Sequence, residues 1–275
     1  MPSVAYLGPE GTFSHLLARQ RFKNDSLISC STVEAIFDQV KNAPDALGLV
    51  PVENSSGGTV YDSVDLLIRH AGQVHVREEL ALDVRIALLG RDRKAFTTVY
   101  SHFVQLKHHF DWLKKNFPRA RLMPVVSTAV AAQKAAASRH AAALASPGAA
   151  DVYGLKVIEV PEVGQQVNVT HFYTIGARPV PVPKSRRTKT ALIATLPNTC
   201  GSLYQFLGPF ARQEVSLTRI VSRPVPGQPQ TYVFFVEIEG GPADPKVARA
   251  LERAGKLTES LTSLGTFPIR GRYKS

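Results

Sequence analysis

Short apolar runs and amphipathic stretches alternate from the start of the chain. Residues 4–7 form an apolar run that stops at Gly8-Pro9, and Thr12 stands where an N-cap would open a helix over residues 13–22. Ser31-Thr32 can cap a second helix that runs to about Lys41, and residues 46–50 read as an apolar strand ending at Pro51. Between residues 59 and 68, Val60, Val64, Leu67 and Ile68 recur at helical spacing. This β-α-β-α order predicts an α/β fold with ligands at the C-terminal ends of strands.

Further along, residues 80–89 are strand-like, residues 98–100 form another strand, and residues 105–116 a helix with Leu106, Phe110 and Leu113 inward. A strand over 121–126 ends at Ser127-Thr128, a cap ahead of a helix over 129–138. The tract 129–150 is alanine-biased, which suggests closely packed helix because Ala has the best helix propensity. Residues 157–160 and 172–175 read as strands. The stretch RPVPVPKSRRTK, residues 178–189, is the clearest linker, since its prolines keep it extended. Beyond it come a strand over 191–196, a helix over 201–212, strands over 216–222 and 231–238, a helix over 246–254, and a final segment over 257–264. That β-α-β-β-α-β order is ferredoxin-like.

The hydrophobic content of 44% and charged content of 20% suit a globular chain of 275 residues divided into two or three units. A net charge of +11 attracts anions, but the basic residues form no long arm, and no nucleic-acid-binding spacing accompanies them. The densest cluster, Lys184, Arg186, Arg187 and Lys189, falls in the linker. Cys30 and Cys200 lie far apart in no CxxC or metal-ligand pattern, so neither a disulfide framework nor a metal centre is expected. His102, His108 and His109 share one strand–helix segment, yet 108 and 109 would diverge by about 100° on a helix and share no face. No signal-peptide pattern and no long apolar span appears, so a cytoplasmic, non-membrane protein is expected.

Several blocks carry the chemistry. Tyr6-Leu7-Gly8-Pro9-Glu10-Gly11-Thr12-Phe13-Ser14, Val50-Pro51-Val52-Glu53-Asn54-Ser55-Ser56-Gly57-Gly58, Val99-Tyr100-Ser101-His102, Ser127-Thr128-Ala129 and Asn168-Val169-Thr170-His171-Phe172 follow in the order and spacing of one family. The chain resembles the prephenate dehydratases. Gly201-Ser202-Leu203-Tyr204 and Ser222-Arg223-Pro224 resemble the ligand-contacting motifs of their attached ACT domain. The resemblance implies a two-lobed fold like the type II periplasmic binding proteins over residues 1–178, a linker over 179–189, and a ferredoxin-like ACT domain over 190–275. One lobe would combine the start of the chain with a segment returning near Thr170; the other would lie between roughly Leu80 and Pro161.

The implied reaction removes carbon dioxide and water from prephenate to give phenylpyruvate, in phenylalanine biosynthesis. Aromatisation drives it, so a general acid at the ring hydroxyl and donors for the carboxylates suffice, with no cofactor. The resemblance makes Thr170 the acid or polarising donor, with Asn54 and Glu53 beside it. Substrate contacts would come from Thr12, Ser14, Ser55, Ser101, His102, His108, Ser127, Thr128, His171 and Phe172. A strand start at Thr170, turn roles for Asn54 and Ser55, and capping for the other hydroxyls are the plain structural alternatives.

The sequence also departs from the family pattern. His171 stands where the family has Arg, Phe103-Val104 replace Pro-Gln, His108 replaces Gln, and Val221 replaces Glu. A histidine cannot make the bidentate carboxylate contact of an arginine. Three readings stay open: a conventional dehydratase, an enzyme for an altered cyclohexadiene such as isoprephenate, and a non-catalytic amino-acid-binding protein. In the ACT domain the resemblance implies a phenylalanine site lined by Asn198, Gly201, Ser202, Leu203, Ser222, Arg223 and Pro224, weakened by Val221. It also implies a homodimer or homotetramer paired through that domain.

Overall fold

The computed structural model describes residues 3–92, 96–161, 168–181, 187–225, 227–228 and 231–275. Lobe one holds β1 (Ser3–Leu7), α1 (Phe13–Arg21), β2 (Ser26–Cys30), α2 (Val33–Asn42), β3 (Leu47–Asn54), β4 (Gly58–Thr59), α3 (Tyr61–Arg69) and β5 (His75–Asp83). Lobe two follows with β6 (Ala87–Gly90), β7 (Thr98–His102), α4 (Phe103–His108), α5 (Phe110–Asn116), β8 (Arg121–Val125), α6 (Thr128–Ala136), β9 (Ala141–Ala145), α7 (Gly148–Tyr153) and β10 (Lys156–Glu159). The chain returns to lobe one in β11 (Val169–Gly176). A last unit comprises β12 (Thr188–Thr195), α8 (Ser202–Arg212), β13 (Leu217–Pro224), β14 (Tyr232–Glu239), α9 (Pro245–Gly255) and β15 (Ser260–Lys274).

Two sheets organise these elements. The smaller runs β10-β6-β9-β7-β8. The larger has ten strands in the order β13-β14-β12-β15-β5-β11-β3-β1-β2, with β4 paired to β3. The expected two-lobed α/β region and the β-α-β-β-α-β order after it are both present. The surprise is that lobe one and the last unit share one continuous sheet. β15 pairs antiparallel with β12 through its first part and then parallel with β5, from Ile269 opposite Glu79 to Lys274 opposite Asp83. Gly265, at φ 126°, sits at a register shift within the β12 pairing, a few residues before β15 changes partner; a side chain there would meet the Val76 carbonyl oxygen at 2.9 Å. β12 begins at Thr188, inside the segment expected to be linker, and residues 182–186 of that segment, with Lys184 and Arg186, lie outside the described residues.

Apolar side chains fill both faces of the large sheet. One face packs on α1 through Tyr6, Leu17, Leu80 and Phe172; the other packs on α2, α3 and the last unit through Ile36, Phe37, Val50, Tyr173 and Phe235. Four local expectations change. The run 80–89 is two strands in different sheets, broken at Val84–Ile86 where the chain crosses between lobes. β3 continues through Pro51 to Asn54, because a register shift between its pairings with His171 and Phe172 accommodates a residue with no N–H to give the ladder. The alanine tract is not all helix: Ala141–Ala145 is a fully buried central strand, and its small side chains let α6 press close against it. Helix formation was the better local propensity there, and burial between two strands overrode it. The helix over 105–116 breaks at His109, leaving Phe110 exposed rather than inward.

Candidate active site

The lobes are joined by two crossing segments that touch, with Val84 N donating to Asn168 O at 2.7 Å. A cavity of ≈570 Å³ opens beside them. Its walls include Val84, Arg85 and Ile86 from the outgoing crossing, Pro161 and Asn168 from the returning one, and Gln105, His108 and His109 from lobe two. A second tie spans the lobes. Tyr153 of α7 donates its hydroxyl to the Glu10 carbonyl at 2.6 Å, and its ring lies so close over Gly11 that a Cβ there would meet it at 2.7 Å.

Next to Ser56 and Asn168 of this cavity's wall, and themselves outside its lining, Asn54 and Thr170 are brought opposite each other by β3 and β11. Asn54 Oδ1 accepts the backbone N–H groups of Ser56 and Gly57, each at 2.9 Å. Those two bonds fix which end of the amide is which. Nδ2 therefore donates to Asn168 Oδ1 and to Thr170 Oγ1, each at 2.8 Å. The Thr170 oxygen is thus an acceptor already, and among the described residues nothing takes its proton. A buried hydroxyl held this way keeps its O–H for a ligand.

Strand alternation places the neighbours elsewhere. Thr170 and Phe172 share one face of β11, and His171 and Tyr173 share the other. His171 Nδ1 donates to Glu79 Oε1 at 2.8 Å, and Glu53 accepts from Arg219 Nη2 at 2.6 Å. Both expected site residues therefore face the last unit, away from Asn54 and Thr170. They cap a buried charged chain in which Lys189 reaches Glu79 at 2.7 Å and Glu237 at 3.2 Å, while Arg219 pairs with Glu237 and donates to the Tyr173 hydroxyl at 3.2 Å. Burial works to raise the Glu79 carboxyl, but the His171 hydrogen bond and the Lys189 ammonium hold it below its ordinary value. Burial, with Glu79 and Glu53 nearby, pushes Glu237 well up. Phe172 is core, packed on α1, and makes no cleft wall.

The remaining expected contacts divide. His108 lines the cavity as expected, and so does His109, although helical spacing put the two on separate faces. His109 is buried, which lowers its pKa, and its Nδ1 meets the Gln105 carbonyl at 2.9 Å. The His102 ring packs at a tilt against Phe103, centroids 4.6 Å apart, and burial lowers its pKa too. Ser101 is corrected to a structural role: it is fully buried and donates to the Leu144 carbonyl at 2.6 Å, tying β7 to β9. Thr12 and Ser127 cap α1 and α6 through the N–H groups of His15 and Val130. Ser14 and Thr128 are buried in the first turns of those helices. Ser55 Oγ accepts from Val169 N at 2.9 Å and so braces the strand that carries Thr170. Missing from the expectation were Asn168, which sits in the quoted motif without an assigned role, and Arg85, a lone cation inside the apolar run LALDVRIALLG.

In the last unit, Asn198, Ser202 and Leu203 gather with Tyr232 and Phe234 around a cavity of ≈140 Å³. Gly201, at φ 83°, makes the left-handed entry to α8 just beside it. Ser222, Arg223 and Pro224 lie on β13, outside that cavity's lining. Arg223 grips Asp65 of α3 with two bonds, at 2.6 and 2.8 Å, and its guanidinium lies over the Tyr61 ring at 4.6 Å. Val221 is buried in the core shared with lobe one.

A family model described as "Prephenate dehydratase" matches residues 4–180. A bifunctional chorismate mutase/prephenate dehydratase of Stutzerimonas stutzeri is 35% identical over 269 residues, covering 96% of this chain and 73% of that protein. Among solved structures, a prephenate dehydratase from Arthrobacter aurescens in complex with L-Phe superposes with a TM-score of 0.85 at 27% identity, covering 97% of this chain and 90% of that one. A structure described as GqqA, a novel type of quorum-quenching acylase, superposes with a TM-score of 0.87 at 26% identity, covering 98% of each chain.

Proposed function

This chain belongs to the prephenate dehydratase family, and we propose that it is a carbon–oxygen lyase converting prephenate to phenylpyruvate, with Thr170 as the donor to the departing hydroxyl. One observation carries the assignment of Thr170: its oxygen accepts from Asn54 Nδ2, so its proton is left for the ring hydroxyl. In the reaction the C–CO2 bond breaks, its electron pair enters the ring, and the C–O bond at the opposite ring carbon breaks. The hydroxyl of Thr170 keeps its proton and, by hydrogen bonding, stabilises the charge on that oxygen as it develops; the departing hydroxide takes a proton from solvent and becomes water. A threonine is a weak acid in water, but a fixed donor aimed at a developing oxyanion lowers the barrier without needing a matched pKa. His108 and Gln105 supply further polar groups in the cavity wall.

The departure at His171 loses its weight as an argument for another substrate, since that side chain binds Glu79 on the far face of the sheet. We further propose that residues 190–275 act as an ACT-type regulatory domain, with residues 1–178 as the catalytic domain. In this reading the small cavity at Asn198, Ser202 and Leu203 takes phenylalanine, two chains pair through the domain, and the protein works in the cytoplasm. No helix among the described residues is long and apolar enough to cross a membrane. The test is direct: incubate the protein with prephenate and follow phenylpyruvate by its absorbance. Absence of product from the intact protein would sink the dehydratase reading.

A further inference from the structure

We infer that Arg85 is the residue that anchors the pyruvyl carboxylate of the substrate and so sets specificity at the far end of the cleft; this rests on the dehydratase reading. Prephenate is a dianion, and its two carboxylates lie at one end of the ring with the hydroxyl at the other. A site that holds it needs a permanent cation on the side away from the hydroxyl donor. His171 has been removed from that role by its position. Among the described residues lining the cavity, Arg85 is the one with a permanent positive charge. Residues 162–167, which lie between Pro161 and Asn168 in the sequence, contain no Lys or Arg.

Position and freedom both favour it. Leu82 pairs with Thr170 across β5 and β11, one strand spacing of about 5 Å away, and Arg85 lies three residues further along, at most about 10 Å more of extended chain. That span suits a six-membered ring with a three-carbon arm. The Arg85 backbone is held, with its N–H donating to Ser275 Oγ at 2.8 Å, while Ser275 N donates to Asp83 O at 3.2 Å. By contrast, among the described residues no carboxylate or carbonyl takes the Arg85 guanidinium, although Arg21, Arg69, Arg178, Arg219, Arg223, Arg270 and Arg272 each pair with an acid. An exposed, unpaired arginine on a fixed backbone at a cavity wall is arranged to receive an anion.

The pyruvyl carboxylate is the one that survives into the product. Binding through it stabilises substrate and transition state alike, so its loss raises KM and leaves kcat nearly unchanged. For Arg85→Ala we expect KM for prephenate to rise about 10- to 100-fold, the range of a charge-assisted hydrogen-bonded pair. Calorimetric affinity for phenylpyruvate should fall by a similar factor. Arg85→Lys, which keeps the charge and loses the fork, should lie between. Lys107→Ala, an exposed cation on α4 outside the cavity lining, should match the parent and so control for net charge. If the parent turns over prephenate and Arg85→Ala keeps its KM and its phenylpyruvate affinity, the anchor assignment is overturned. If the parent makes no phenylpyruvate from prephenate, the dehydratase reading itself fails, which is a separate result; weakened phenylpyruvate binding in Arg85→Ala would still support the anchor.

Discussion

Replacing Asn54 by Asp changes one group and removes the two hydrogen bonds it donates. The native amide makes four hydrogen bonds: its oxygen accepts from Ser56 and Gly57, and its nitrogen donates to Asn168 and Thr170. Aspartate keeps the first pair, and strengthens it with charge, so the turn after β3 survives. Where the nitrogen stood, 2.8 Å from Thr170 Oγ1, there is now an acceptor. The Thr170 hydroxyl must rotate to donate to it, so its proton leaves the cleft, and the Asn168 amide must flip to present its N–H in place of its oxygen. Losing one fixed donor aimed at a developing oxyanion raises the barrier by about 2.7–4 kcal/mol, which is about 10²–10³ in kcat. The negative charge beside the departing hydroxide acts in the same direction. Stability should hold, with Tm within about 4 °C of the parent, the shift that ~1 kcal/mol makes in a chain of this size. The assay is phenylpyruvate formation from prephenate at saturating substrate, run beside a thermal melt. An Asn54→Asp enzyme with parental kcat and Tm would refute the claim that Asn54 aims the Thr170 proton.

The buried charged chain gives further expectations. Arg219→Met leaves Glu237 without its main partner and should destabilise the protein by about 3–5 kcal/mol in urea denaturation; a change under ~1 kcal/mol would mean the pair contributes little. Glu79 titrates below its ordinary value when folded, so it stabilises the fold above the unfolded value of 4.5 and loses that contribution as pH falls below it. Glu79→Gln should therefore flatten the decline in stability below about pH 4.5, and an unchanged acid limb would contradict the shift. His171→Arg can still reach Glu79 and should leave the KM for prephenate within about threefold, since uniform binding energy is untouched; a tenfold fall in KM would return residue 171 to the cleft. With Val221 buried in apolar core in place of a carboxylate, calorimetry should find weak phenylalanine binding, lost in Asn198→Ala; tight binding by the parent would count against that expectation.

Much of this was legible from periodicity and spacing. The caps at Thr12, Thr32 and Ser127, the helices behind them, and the β-α-β-β-α-β order of the last unit all follow from local chemistry. What failed needed partners distant in sequence. Ser26–Cys30 escaped notice because an edge strand that is half exposed shows no clear apolar run. Ala141–Ala145 is a strand only because two strands flank it and α6 covers it. The run 80–89 is divided by its assignment to two sheets, which a continuous apolar stretch does not announce.

At the site, the opposed directions of Thr170 and His171 could have been read from the sequence, because neighbours on a strand point to opposite faces. Following the family pattern kept both in the cleft. That Asn54 Nδ2 serves Asn168 and Thr170 together could not be read, since it depends on the pairing of β3 with β11 across more than a hundred residues.

The central claim is that the Thr170 hydroxyl assists departure of the ring hydroxyl of prephenate. Thr170→Val keeps the shape and removes the O–H, so single-turnover formation of phenylpyruvate by parent and variant tests it most directly. The account predicts rapid product from the parent and a rate lower by about 10²-fold or more in the variant. A Thr170→Val protein that forms phenylpyruvate at the parental rate would contradict it.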